Sequence, residues 1–308
     1  MKFALHRQQL KSAMLPIAMM LGVIGYQWLG HLAFLSPYLI FLMLFITYCK
    51  LDPAHIKPRR LHWVLLSVQM LLSALIYFIL LPIDHTLAEG VFICVFVPTA
   101  TAAPVITAML GGKISFVATY SLLCNTVVAI FGAAVLAAVG DNTGLGFGWA
   151  TYMIVKKVFP LLILPLVAAI LLRRLWPKAQ HRIAGAQSLS FYLWAIALLL
   201  IVGNCVSFVI RNWDENQLGL LGLLVAGALG ACLIQFWIGR KMGKDPGEKV
   251  TLGQSLMQKN TVLAVWLAMT YMTPLASVAP AAYIAWQNIV NSVQLMHKSS
   301  PKRATVNE

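Results

Sequence analysis

Acidic side chains are scarce in this chain. Nine Asp and Glu stand among 308 residues, and charged residues of both signs reach only 10%, against about 25% in an ordinary soluble domain. A soluble fold of this size has too few charges to cover its surface, whereas lipid accepts an excess of apolar surface. Hydrophobic residues make up 60% of the chain and the mean hydropathy is +0.81. The composition is that of an integral membrane protein.

Other absences narrow the chemistry. The acids Asp52, Asp84, Glu89, Asp141, Asp214, Glu215, Asp245, Glu248 and Glu308 all fall in expected loops or termini, and the histidines at 6, 31, 55, 62, 85, 181 and 297 are peripheral. A cation site needs anionic or dense oxygen ligands, and proton relays run through carboxylates or histidines. A carboxylate-driven cation or proton mechanism therefore has little support. Cys49, Cys94, Cys124, Cys205 and Cys232 lie in or beside apolar runs, without metal spacing, and read as small buried hydrophobes. No nucleophile–base pair, phosphate loop or metal-ligand pattern occurs, so neither an enzyme nor a cofactor or metal is expected. The start, MKFALHRQQLKSAMLPIAMM, lacks a small-residue cleavage site and reads as a first helix rather than a cleaved signal.

What the chain has is basic charge, in clusters. The formal net charge is +14. The clusters Lys2/Arg7/Lys11, Lys50/Lys57/Arg59/Arg60, Arg173/Arg174/Lys178/Arg182, Arg240/Lys241/Lys244/Lys249 and Lys298/Lys302/Arg303 make, with Lys113, 19 of the 23 Lys and Arg. Apolar runs separate them, as the positive-inside rule asks of cytoplasmic loops. A nucleic-acid surface would need these charges on one exposed face, so no nucleic-acid partner is expected. The pattern predicts both termini in the cytoplasm and an even number of spans in a cell (inner) membrane, with the lipid bilayer as partner.

At about 20 apolar residues per span, ten helices are predicted near 13–29, 32–49, 62–82, 90–110, 114–139, 158–173, 187–210, 217–239, 250–272 and 276–296. Residues Gly148–Lys157 read as an interfacial approach to the sixth, because Lys156 and Lys157 fit lipid poorly. Ten spans divide into a first five-helix repeat over 1–145, a second over 146–297, and a cytoplasmic tail at 298–308. An odd-numbered half that repeats must be inverted in the membrane, a common transporter architecture. Span four is interrupted by Pro98-Thr99-Ala100-Thr101-Ala102-Ala103-Pro104 and span nine by Gln258-Lys259-Asn260-Thr261, each the fourth member of its half.

Interrupted helices at matching positions point to a transport site. A break in lipid exposes backbone groups at several kcal/mol unless it lines a cavity, and half-helix N-termini favour an anion. The plainer reading is a proline kink. Lys259 is the sharpest single feature, since a lysine at mid-bilayer costs about 2.5–3.5 kcal/mol on insertion scales. It reads either as a structural lysine capping broken-helix carbonyls or as a fixed positive charge in a substrate cavity. Gln69, Ser121, Asn125, Asn204, Gln287, Asn288 and Asn291 are the other intramembrane polar groups, by default helix–helix glue.

Two stretches resemble the bile acid:sodium symporter family. Pro98-Thr99-Ala100-Thr101-Ala102-Ala103-Pro104-Val105, followed by Thr107 and Gly111-Gly112-Lys113, is similar to that family's Pro-Gly-Gly-Thr-Ala-Ser-Asn-Val segment. Asn260-Thr261-Val262-Leu263-Ala264, Thr273-Pro274-Leu275-Ala276 and Trp286-Gln287-Asn288-Ile289 resemble its Gln-Asn-Ser-Gly-Leu-Ala helix and closing span. The resemblance covers nearly the whole chain and implies ten helices, an inverted five-helix repeat, and broken, crossing fourth and ninth helices. Aligned without gaps, the family's sodium ligands fall on Ala103, Pro104, Val117, Ser121, Ser255 and Lys259. Most of the sodium chemistry is missing, and a one-residue bulge that put Gln258 in the glutamine place would not restore the lost Glu. The expectation is a secondary transporter of a small organic anion by alternating access, not coupled to sodium in the usual family manner. The alternative is a membrane sensor or structural protein derived from a transporter. Lys259, Asn260, Thr261, Gln258, Thr99, Thr101, Pro104 and Asn288 are the expected substrate-binding residues, with Gln69, Ser121 and Ser255 as polar support.

Overall fold

A computed structural model describes residues 17–50, 57–100, 103–140, 147–211 and 217–299. These residues are 90% helical and contain no strand. Among the described residues, four helices are long and apolar enough to cross a membrane: α3 (Arg60–Leu80), α6 (Ile114–Val139), α7 (Phe147–Leu175) and α10 (Leu218–Met242). Taking the bent pair Tyr26–Leu32 and Ser36–Lys50 as one span makes five. The pair contains α1 (Tyr26–Leu29), a 3-10 turn over Gly30–Leu35, and α2 (Ser36–Lys50). Large apolar side chains such as Trp28, Leu71, Phe78 and Ile170 stand on the outside of these helices. Water tolerates few such contiguous patches. The chain is an all-α membrane protein.

The remaining elements are shorter. Helix α4 (His85–Phe96) is followed by a break and α5 (Ala103–Leu110); α11 (Pro246–Met257) is followed by a break and α12 (Thr261–Tyr271). At 1.5 Å per residue, α4 and α11 are each about 18 Å long, well short of a hydrocarbon core of about 30 Å. Helices α8 (Pro177–Gly185), α9 (Gln187–Arg211) and α13 (Val278–Ser299) follow, with a 3-10 turn over Pro274–Ser277, and residues 17–24 are helical as well.

Close packing relies on small residues. Gly239 of α10 lies against the Leu252 carbonyl and Gly253 of α11, and Gly227 of α10 against Val91 of α4. Gly111 has a φ of 86°. It closes α5 in the left-handed conformation that glycine adopts freely, with the Gly112 N–H bonded to the Thr107 carbonyl at 2.8 Å.

Two sequence readings change. Residues Gly148–Lys157 are no separate approach: α7 is one helix of 29 residues that includes Pro160 and Pro165. Lys156 and Lys157 are exposed on it, and long stems let such ammonium groups reach away from an apolar surface. The segment after Arg174, expected as loop, holds α8, with Pro177 at its first turn and Gln180 donating to the Cys49 carbonyl.

Candidate functional site

The two interrupted helices begin alike. The Asp84 carboxylate caps α4, accepting from Leu87 N at 2.8 Å, and the Asp245 carboxylate caps α11, accepting from Glu248 N at 2.7 Å. Short polar side chains at this position satisfy otherwise orphaned N–H groups. Both helices run for 12 residues and stop. Pro98 ends α4, because it lacks an N–H and pushes Val97 into an extended conformation. Asn260 restarts the second interrupted helix as the cap of α12, its Oδ1 accepting from Leu263 N at 3.2 Å.

The breaks meet each other. Thr99 and Lys259 form an antiparallel bridge, with Ala100 N donating to Gln258 O and Asn260 N to Pro98 O, each at 2.9 Å. Backbone groups freed by one break are thus satisfied by the other, as a buried break requires. Side chains complete the pairing. Thr99 Oγ1 donates to Ser255 O at 2.9 Å, Ser121 Oγ donates to Thr99 O at 3.2 Å, and Gln287 Oε1 accepts from Lys259 N at 3.1 Å.

The two carbonyl ends are held by the same residue types. At the end of α4, Gln69 Nε2 donates to Phe96 O at 3.0 Å and Val97 O at 3.1 Å, while Tyr120 OH donates to Gln69 Oε1 at 2.7 Å. At the end of α11, Tyr283 OH donates to Met257 O at 2.8 Å, while Gln235 Nε2 donates to Tyr283 OH at 2.9 Å. A glutamine–tyrosine pair serves each end, with the order of the two exchanged.

Each first half-helix also holds the far end of the other interrupted helix. Glu89 Oε2 of α4 accepts from Thr273 N, beyond α12, at 2.9 Å. Thr251 Oγ1 of α11 accepts from Lys113 N, beyond α5, at 2.8 Å. Glu89 corrects the sequence reading, which placed every acid in a loop or terminus. It sits inside a helix at 0% exposure, with His85 Nδ1 at 3.9 Å.

Among the expected site residues, Thr99, Ser121, Gln69 and Ser255 are engaged in this scaffold; Ser255 Oγ donates to Thr251 O at 2.8 Å. Pro104 lies half-buried in the first turn of α5. Asn288 is half-buried on α13 beside Gln287, and among the described residues its side chain makes no hydrogen bond to the breaks. Thr101 lies outside the described residues. Asn260 is spent on its cap. Lys259, Gln258 and Thr261 remain. Lys259 is 1% exposed, and Lys259 Nζ, Gln258 Nε2 and Thr261 Oγ1 have no hydrogen-bond partner among the described residues. An amide donor, an ammonium and a hydroxyl thus stand at the break that precedes and opens α12, and donors of this kind suit an anion.

Sequence reasoning missed the supporting shell. Tyr120 and Tyr283 hide among apolar positions, Gln235 went unremarked, and Gln287 and Asn125 read only as helix–helix glue. Gln287 and Tyr283 share α13 one helical turn apart, a spacing that would have put both on one face. A scan against protein-family models and a search of curated proteins both find no match.

Proposed function

We propose that this protein is a secondary transporter of a small organic anion that works by alternating access. In this reading the chain has ten spans as two inverted five-helix repeats, resembles the bile acid:sodium symporter family, and lies in the cell's inner membrane with both termini in the cytoplasm. The paired construction of the breaks supports the repeat: matched aspartate caps, matched glutamine–tyrosine supports, and reciprocal holds by Glu89 and Thr251. An inverted repeat puts such pairs where a substrate passes.

The observation that carries the reading is the buried Lys259 ammonium with no partner on Nζ among the described residues. It supplies a tethered positive charge where the resembling family would place a sodium ligand. Ser255, at the place of the lost Glu, gives its hydroxyl to a backbone carbonyl. The reading therefore has no coupling to sodium in the usual family manner.

Counterflow in proteoliposomes tests this directly. Vesicles preloaded with a carboxylate or sulfonate from a panel should exchange it for radiolabelled anion outside, at equal rates in sodium and potassium buffers. Lys259→Ala should abolish the exchange. A steep sodium requirement would defeat the charge-replacement idea. Binding of a panel anion without counterflow favours the sensor, and the absence of both for every anion would defeat the anion-site reading.

A further inference from the structure

Lys259 is the only charged side chain at the two breaks among the described residues, and it is enclosed by them. The titratable groups that act on it are the thiols of Cys124 on α6 and Cys94 on α4. Cys232 on α10 stands behind Cys94. The phenols Tyr120 on α6 and Tyr283 on α13 are already committed, to Gln69 Oε1 and to Met257 O. Gln287 on α13 spends its amide oxygen on the Lys259 backbone N–H. No carboxylate pairs with Lys259 among the described residues.

An enclosed ammonium has three donors and a full charge to compensate, and leaving them bare costs several kcal/mol. Two states of this site are self-consistent: an ammonium with a bound anion, and a neutral amine without one. Building on the anion-transport reading, we infer that Lys259 is the proton carrier of the cycle, so that each monoanion crosses together with one proton. The ammonium and the anion cross as a neutral pair. On the far side the anion leaves and the ammonium gives its proton to water. The amine returns and takes a proton from water on the side of origin. One proton and one negative charge move per cycle, with no net charge and no other reactant.

Proteoliposomes containing pyranine and the first panel anion that gives wild-type counterflow test this, with protein-free vesicles as background. In the wild type, one pH unit, acid outside, should accumulate the anion about tenfold at equilibrium, the ratio equivalent to about 1.4 kcal/mol. Addition of the anion should acidify the interior. Lys259→Arg keeps the charge but does not give up its proton. Whatever counterflow it keeps, it should accumulate nothing under the gradient. Glu89→Gln should keep both.

Wild-type counterflow without gradient-driven accumulation or acidification overturns the inference while leaving anion transport standing, and needs no variant. Retained accumulation in Lys259→Arg overturns it as well. So does loss of accumulation in Glu89→Gln alone, which would move the proton to the carboxylate. Absence of counterflow for every anion in the wild type removes the transport reading and this inference with it.

Discussion

Gln69→Leu should weaken the fold by an amount its hydrogen bonds set. Gln69 is 0% exposed. It donates to Phe96 O and Val97 O and accepts from Tyr120 OH, with Cys124 Sγ at 3.4 Å from the same oxygen. Leucine fills nearly the same volume, so the cavity term is small and the loss is polar. Interhelical hydrogen bonds in membranes average about 0.6 kcal/mol, with a maximum of about 1.7, and stranding a buried partner costs about 1–3 kcal/mol. Three bonds lost together, offset by the apolar gain of leucine, give about 2–4 kcal/mol, or about 30- to 1000-fold in the unfolding equilibrium. Tyr120→Phe alone should cost less, about 1 kcal/mol, since Leu65 O lies 3.5 Å from the hydroxyl. Combined, the two substitutions should fall short of the sum by about 1 kcal/mol, because each removes the same bond. Equilibrium unfolding in bicelles measures all four species. A Gln69→Leu loss below about 0.5 kcal/mol, or strict additivity with Tyr120→Phe, would refute the claim that this pair holds the end of α4.

Three further outcomes follow from the same geometry. Glu89→Ala should lose about 1.5–3 kcal/mol and speed hydrogen exchange at the Thr273 amide, while Glu89→Gln, which keeps an acceptor, should stay within about 1 kcal/mol of wild type; equal losses would mean that the charge, not the bond, is what holds there. Gly239→Ala places a Cβ 2.4 Å from the Leu252 carbonyl and should cost about 1–3 kcal/mol in thermal unfolding. Gly230→Ala in the same helix meets nothing within 4 Å and should leave the midpoint unchanged or raised. Lys259→Met removes an enclosed group with no partner and should raise the melting temperature in detergent while abolishing anion counterflow. A lowered melting temperature would favour the other reading of this residue, a cap on broken-helix carbonyls.

The sequence made the helices legible wherever hydropathy alone decides them. The predicted span 114–139 coincides with α6, and 217–239 lies within a few residues of α10, because the apolar run and its charged flanks set both ends. Both breaks were visible in Pro98 and in the Gln258–Asn260 interruption, as proline removes a donor and asparagine caps. Glu89 was misplaced because the apolar run begins at Gly90, yet Asp84 starts the helix five residues sooner. The cap was a readable signal, while burial of the carboxylate was not. The Thr251–Lys113 and Glu89–Thr273 bonds join positions 138 and 184 residues apart, and nothing local in either segment announces such a partner. Tyr120 is alike in this respect: it looks like an ordinary interior residue until Gln69, readable as polar support, is in place beside it.

The way the breaks are tied together restricts where movement can occur. Lys259 is joined to α4 through the Thr99 bridge, to α13 through Gln287, and by way of Thr99 and Ser121 to α6. Gln69 and Gln235 tie α3 and α10 to the same assembly. Distorting it would strand several buried polar groups at once, so it resists piecemeal change. The other helices are attached differently. Helix α2 packs on α7 and α9, and α9 meets α12 and the Pro274–Ser277 turn through apolar side chains, Asn204 to the Met269 sulfur, and Cys205 to Ser277. Sulfur bonds are weak, and apolar contacts can be exchanged for others without leaving a polar group bare. In the proposed cycle, then, the five helices that hold the breaks move as one body past α2 and α9, and access to Lys259 changes at that smooth interface rather than by reshaping the breaks themselves.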